Sequence, residues 1–316
     1  MNVVSITSPE FWGALLRAMA VLTWNVAAGL AVGELILSLG VVERVFEPVI
    51  PRLSRLGIHS RIAAAMLIAL GSPRSGAALI AASYTDGDIT REEATYGTMS
   101  LAFPGYLRRW AGTVAVAAGI AGMAGFIYSM VLIVRSAVRF IWVVTLLSRH
   151  GRGREVSSLA EGGLKAPGHG ARRARLLKTM AVSLPWAWFF FSLTYVLVPF
   201  AERAFTDHIA EWGFYSFLPA QGWAVAVSAL AHVTAALSSA RGALAAGSLG
   251  VSQAVLALLV GSMVGSLTRA MRQNVGYWMG IFPREMIPGL VKRHLAMTLT
   301  LESLSIFIAW CVTEVV

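Results

Sequence analysis

Two short stretches place an arginine beside small and hydroxyl residues inside otherwise apolar sequence. The first is Gly-Ser-Pro-Arg-Ser-Gly at 71–76, and the second is Ser-Ser-Ala-Arg-Gly at 238–242. A charge among apolar residues is costly, so each arginine is a candidate functional group. We expect a helix to begin behind each arginine, at about residues 77 and 243, and its free N–H groups would help to bind a carboxylate or phosphate. The predicted ligand-binding residues are Ser72, Arg74, Ser75, Gly76, Thr98, Ser238, Ser239, Arg241, Gly242 and Ser262.

Two carboxylates are candidates for coupling ligand binding to a proton or a cation. Glu34 lies within the first long apolar stretch, and Asp86 lies in an acidic turn. The turn precedes a helix that Thr90 and Glu93 are spaced to cap. A carboxylate among apolar residues can carry a proton. The alternative is that each carboxylate pairs with one of the two arginines or stays solvated.

The sequence contains no motif for a catalytic nucleophile and base, and no cluster of His, Cys, Asp and Glu at metal-ligand spacing. We therefore predict that the protein is not an enzyme and that it holds no metal or other cofactor. His232 is the one histidine inside an apolar stretch of a predicted hairpin, and we expect it to be a packing residue.

The composition predicts an integral membrane protein. Hydrophobic residues make up 57% of the 316 residues and charged residues 13%, where soluble domains have about 25% charged residues. The net charge of +10 is concentrated in 149–177, where seven arginines and lysines face two glutamates. A basic segment between apolar spans indicates the cytoplasmic side, so we predict a cytoplasmic linker, the inner membrane of a bacterium or archaeon, and no nucleic-acid partner.

Parts of the sequence occur twice. Residues 17–46 and 178–205 both open on a basic residue and close near Glu-Arg-x-Phe, and two shorter echoes follow, 76–83 with 242–248 and 97–99 with 261–263. Duplicated apolar halves are typical of transporters. We predict an all-α polytopic membrane protein of two inverted repeats, 1–148 and 178–316, joined by the linker at 149–177. Apolar pieces too short to span a bilayer predict re-entrant helical hairpins, broken at 71–76 and near 238–242. The stretch 110–148 is compatible with one helix or two.

The chain resembles the Gate, or nucleoside-recognition, family of membrane proteins. The resemblance lies in Gly71-Ser-Pro-Arg-Ser-Gly-Ala-Ala-Leu-Ile, Thr90-Arg-Glu-Glu-Ala-Thr-Tyr-Gly-Thr-Met99 and Phe103-Pro104. That family includes the membrane part of ferrous iron transport protein B, the spore maturation proteins and relatives of concentrative nucleoside transporters. It implies inverted repeats with broken helices around a central pathway, and a role in transport. The gate cysteines of the iron transporter are missing from these stretches, which disfavours ferrous iron as the substrate.

The predicted function is a small-solute transporter or permease that works by alternating access, with an anionic or nucleoside-like substrate. The alternative is a non-transporting membrane scaffold or an accessory subunit of a larger complex. The expected partners are membrane lipids, the small-molecule or ion substrate, and a second copy of the chain in a homodimer.

Overall fold

The structure, a computed structural model, describes residues 55–150, 217–269 and 274–315, together with isolated positions elsewhere. All regular secondary structure in these ranges is helical, which confirms the predicted all-α class. Glu34 and nearly all of the predicted linker lie outside the described residues. The helices are α1 Ser60–Gly71, α2 Pro73–Thr85, α3 Arg91–Ser100, α4 Ala102–His150, α5 Ala220–Ala231, α6 Val233–Ala245, α7 Val251–Arg269, α8 Gly276–Ile281 and α9 Ile287–Val315.

Helices α1 and α2 form a hairpin that breaks at Ser72. This residue has extended backbone angles, φ −149° and ψ 101°, and its hydroxyl accepts a hydrogen bond from the N–H of Ser75. Pro73 follows at the first helical position, where its missing N–H costs nothing. The helix therefore begins at Pro73, four residues before the predicted start. Gly76 lets the two helices meet, because a Cβ there would lie 2.5 Å from the carbonyl oxygen of Ala65.

The second hairpin, α5 and α6, breaks at His232 and not at the predicted position near 238–242. His232 has extended angles of φ −167° and ψ 151°, and its Nδ1 accepts a hydrogen bond from the N–H of Thr234. The serines, Arg241 and Gly242 lie inside the continuous helix α6. The prediction was wrong because small residues suit a closely packed helix as well as a break, whereas the imidazole of His232 provides the N-cap.

The two hairpins share one local geometry, displaced by 160 residues. In each, a helix of 12 residues is followed by one of 13, and then by a turn with a glycine at positive φ, 79° at Gly87 and 68° at Gly247. The next helix is capped in both cases, by the predicted Thr90–Glu93 capping box and by Gln253 accepting from the N–H of Gly250. This spacing matches the echo of 17–46 in 178–205 and shows that the pairing of 76–83 with 242–248 was out of register.

Helix α4 reverses direction at Gly122, where φ is 60° and ψ is −134°. Trp110 Nε1 donates to the carbonyl oxygen of Ser129 at 3.1 Å, whereas a straight helix would separate these residues by about 28 Å. The rings of Phe103 and Phe140 lie 5.1 Å apart, farther from the turn. The stretch 110–148 therefore contains two antiparallel helices, α4a (102–121) and α4b (123–150).

The helices enclose two hydrophobic cores. The first core joins α1, α2 and α3 to Leu147, near the end of α4b, and to Leu290, near the start of α9. The second core joins α5, α6 and α7 to Ile120, beside the Gly122 turn, and Trp310, near the end of α9, packs against it. Helix α4b thus runs from the second core to the first, and α9 runs in the opposite direction between them.

Two helical stretches among the described residues are long and apolar enough to cross a membrane, namely Arg91–His150 and Ile287–Glu314. The first stretch includes the reversal at Gly122, so its longest straight part is α4b. Helices α4b and α9 are each about 42 Å long, and the hydrocarbon core of a bilayer is about 30 Å thick. Their length and composition are compatible with membrane insertion.

The Gly122 turn predicts a sharp difference between two glycines of α4. A Cβ at Gly125 would collide with the carbonyl of Ala117 on the opposite arm, whereas a Cβ at Gly112 would meet nothing within 4 Å. Gly125→Ala should lower stability by about 1–3 kcal/mol, and Gly112→Ala should leave it unchanged or raise it. Thermal unfolding in detergent measures both variants. Equal melting temperatures would contradict the close contact of the two arms.

Candidate functional site

The residues predicted at the first hairpin lie around the exposed N-terminus of α2. The guanidinium of Arg74 stacks 5.6 Å from the ring centroid of Tyr277, whose hydroxyl donates to the carbonyl oxygen of Arg74. Burial raises the pKa of the Tyr277 hydroxyl, which keeps it a donor. The hydroxyl of Ser75 donates to that of Ser72 at 2.9 Å. Arg74 is thus held by a tyrosine of α8.

The residues predicted at the second hairpin lie elsewhere. Arg241 is exposed, and its Nη1 lies 3.7 Å from the position a Cβ would take at Gly122. Arg74 contacts a helix of the first core and Arg241 contacts the turn of the second, so the two arginines do not form one site. Ser238 and Ser239 are buried within α6, and Gly242 faces open space.

The remaining predicted residues have local roles. The buried hydroxyls of Thr98 and Ser262 donate to carbonyl oxygens of their own helices, at 2.7 Å to Ala94 and 2.9 Å to Leu259. Asp86 is exposed in its turn. These hydroxyls are already satisfied inside their helices, and the carboxylate is open to solvent.

A polar network that the sequence analysis did not identify lies where α4b crosses α9. Arg135 Nη2 lies 3.2 Å from Glu302 Oε1, and the side chain of Glu302 is 1% exposed. The other carboxylate oxygen accepts from the hydroxyl of Ser266, on α7, at 2.8 Å. Both oxygens of Glu302 are therefore acceptors, which is the hydrogen-bonding pattern of an ionised carboxylate.

The same network continues one helical turn along α4b at Arg139. Its Nη1 donates to Thr298 Oγ1 at 3.1 Å, and its Nη2 donates to His294 Nδ1 at 2.7 Å. A guanidinium can only donate, so Nδ1 is unprotonated and the imidazole is neutral. His294 Nε2 lies 3.4 Å from the amide of Asn274, and the edge of its ring meets Trp278 at a centroid distance of 5.1 Å.

Two donors of this network are unused within the described part of the chain. Arg135 Nη1 and Arg139 Nε are buried and have no hydrogen-bond acceptor there. A buried donor without a partner costs about 1–3 kcal/mol. Two guanidinium groups with spare donors, facing one carboxylate, can bind a further oxygen-bearing anion.

The breaks of both hairpins lie near the level of this network. Arg108 Nη1 donates to the carbonyl oxygen of Leu70, at the end of α1, at 3.3 Å. Since Phe103 lies beside Phe140 and Trp110 beside Ser129, Arg108 is close to the level of Arg135.

In the second hairpin, a Cβ at Gly261 would lie 2.7 Å from the Cβ of Ala229, three residues before the break. Five residues farther along α7, Ser266 reaches Glu302. The capped N-termini of α2 and α6 are therefore directed towards the middle of the molecule, where the polar network lies.

The network has a sequence signal that the analysis above missed. Arg135 and Arg139 are four residues apart, and so are His294, Thr298 and Glu302 in succession. Residues four apart share one face of a helix, so each apolar helix has a polar stripe. That the two stripes face each other depends on a tertiary crossing that single-helix patterns do not specify.

Comparison with models of protein families finds no match, and comparisons with curated proteins and with solved structures find none either. The resemblance to the Gate family thus remains a prediction from the sequence.

Removing one member of the Arg135–Glu302 pair should destabilise the fold. Arg135→Gln leaves a carboxylate buried without its counter-charge, and we expect a loss of about 3–5 kcal/mol. The double variant Arg135→Gln/Glu302→Gln should recover most of that loss. Chemical unfolding in detergent measures the three proteins.

A matched control for that experiment is Arg61→Gln. Arg61 pairs with Asp88 at 3.5 Å, but the two side chains are 53% and 38% exposed. Exposed ion pairs contribute about 0–1 kcal/mol, so this variant should unfold close to the wild type. If Arg135→Gln and Arg61→Gln cost the same, Arg135 and Glu302 do not form a buried pair.

Proposed function

We propose that the protein is an integral membrane protein whose long helices contact lipid directly. The most apolar windows of Arg91–His150 and Ile287–Glu314 are only 22% and 17% buried, whereas the core helix of a soluble protein is mostly buried. Large apolar side chains form continuous exposed stripes, which a bilayer would cover. The stripes are Met123, Val134, Val138 and Ile141 on α4b, and Leu304, Phe307, Ile308 and Val312 on α9.

We further propose that the two halves are inverted repeats with re-entrant hairpins. The local geometry recurs after 160 residues, while α4b and α9 run antiparallel and the two cores lie at their opposite ends. Each hairpin helix is about 18–20 Å long, which is too short to span a bilayer. Breaks capped near the middle of the molecule suit hairpins that enter and leave on one side.

Charge distribution supports a cytoplasmic first core. Positively charged residues concentrate on the cytoplasmic side of membrane proteins. Among the described residues near the second core and the Gly122 turn, Arg241 is the basic one, whereas the elements around the first core have seven. The seven are Arg55, Arg61, Arg91, Arg149, Arg284, Lys292 and Arg293. The predicted linker continues from the first-core end of α4b, which agrees with a cytoplasmic linker in a bacterial or archaeal inner membrane.

Inversion can be tested with two equivalent exposed positions, Asp86 and Ala246, one in each hairpin turn. Each is changed to cysteine in a Cys311→Ser background, since Cys311 is the only native cysteine. We expect a membrane-impermeant maleimide to label Ala246→Cys in intact cells and Asp86→Cys only after permeabilisation. Labelling of both from the same side would exclude inverted repeats.

Within this membrane arrangement, we propose that the protein transports a small anionic solute by alternating access. The observation that supports this most is the buried network with two arginines, one carboxylate and two unused donors. Arg135 and Arg139 belong to the first half, and their acceptors belong to the second. A relative movement of the halves would therefore change these contacts, and an anion bound between them would be exposed to one side or the other.

The transport proposal predicts an electrical signal. Purified protein in liposomes is exposed to acetate, nitrate or phosphate jumps on a solid-supported membrane, which records charge movement. Arg139→Gln removes one charge-assisted contact of about 1.5–3 kcal/mol, so the response should fall about tenfold or more. Arg61→Gln is the control and should respond like the wild type. Absence of any response with every anion would favour the alternative, a membrane scaffold.

A further inference from the structure

We propose that the anion bound at the crossing of α4b and α9 is monovalent, because the fixed charges there sum to one positive charge. This inference rests on the proposed function and narrows its solute from anions in general to one charge class. The argument has three steps, which are the charge of the empty site, the geometry of its free donors, and the cost of an unbalanced charge.

The charge of the site follows from its hydrogen bonds. Arg135 and Arg139 contribute two positive charges, and Glu302, which accepts at both oxygens, contributes one negative charge. His294 is neutral, since its Nδ1 accepts from Arg139. Among the described residues, the charges that act on Arg139 are those of Glu302 and Arg135. The site without a ligand therefore has a net charge of +1.

The free donors favour an anion with two or three oxygens in one plane. Arg135 Nη1 and Arg139 Nε belong to residues four apart on one face of α4b, about 6 Å along the helix axis. An oxygen of the anion at each donor would complete the hydrogen bonding of both guanidinium groups. Planar guanidinium groups match carboxylates and other planar oxyanions best.

The valence follows from the cost of leaving a charge unbalanced away from water. Glu302 is 1% exposed at its side chain and Arg135 is 18% exposed, so solvent screens the site poorly. A monovalent anion brings the site to neutrality. A divalent anion would leave one negative charge uncompensated, and an uncompensated buried charge costs several kcal/mol.

The test compares dissociation constants by isothermal titration calorimetry in detergent at matched ionic strength. Acetate and nitrate are the monovalent probes, and malonate and sulfate are the divalent ones. The wild type should bind the monovalent probes at least about tenfold more tightly. Glu302→Gln raises the charge of the site to +2, and should move the ratio of the divalent to the monovalent dissociation constant at least about tenfold in favour of divalent anions.

Two further variants control for effects other than charge. Arg135→Gln/Glu302→Gln restores the net charge of +1 and should restore the monovalent preference. Arg61→Gln removes an arginine far from the crossing, and its ratio should equal that of the wild type. Each variant is used only if it elutes as a single species in size-exclusion chromatography.

The outcomes separate this inference from the proposed function. If the wild type binds divalent anions as tightly as monovalent ones, the valence inference is overturned while an anion site remains. That comparison needs no variant, so a misfolded Glu302→Gln protein would not protect the inference. If no anion binds to any of the proteins, the anionic solute of the proposed function is itself wrong.

Discussion

The paired charges where α4b crosses α9 constrain the arrangement of the whole molecule. Charged side chains in a largely apolar chain must be paired, because an uncompensated buried charge costs more than most other contacts contribute. Arg135 meets Glu302 and Arg139 meets Thr298 only when the two helices run antiparallel in one register. A shift of one helical turn would break both contacts. Since each long helix also belongs to both cores, this register positions the two halves relative to each other.

The hairpins satisfy a second constraint, which is that every backbone group ending in the middle of the molecule needs a partner. Ser72 and His232 meet it with different chemistry, a hydroxyl and an imidazole nitrogen, yet both accept from a backbone N–H of the helix that follows. Close contact between the two helices of the first hairpin depends on Gly76, where a side chain would displace the backbone. The short helices can therefore end near the polar network without leaving donors unpaired.

The sequence predicted those features that depend on local chemistry. The first break followed from Gly-Ser-Pro, and the capping box of Thr90 and Glu93 formed as expected. The break at His232 was missed because histidine is an uncommon N-cap and has no distinctive spacing. The network at the crossing was missed for another reason. Its partners are about 160 residues apart, and a helix pattern shows that a polar stripe exists but not which stripe it meets.

The opposite character of the two stripes has a physical cause in the proposed duplication. Near a twofold axis each side chain faces its own counterpart, so a strictly repeated sequence would bring arginine against arginine. At a displacement of 160 residues, the counterparts of Arg135 and Arg139 are Leu295 and Leu299, and that of Glu302 is Trp142. The first half supplies the donors and the second half supplies the acceptors. Divergence of the two halves is therefore what allows charges to be paired at the crossing, and the surplus of one arginine leaves that site positive.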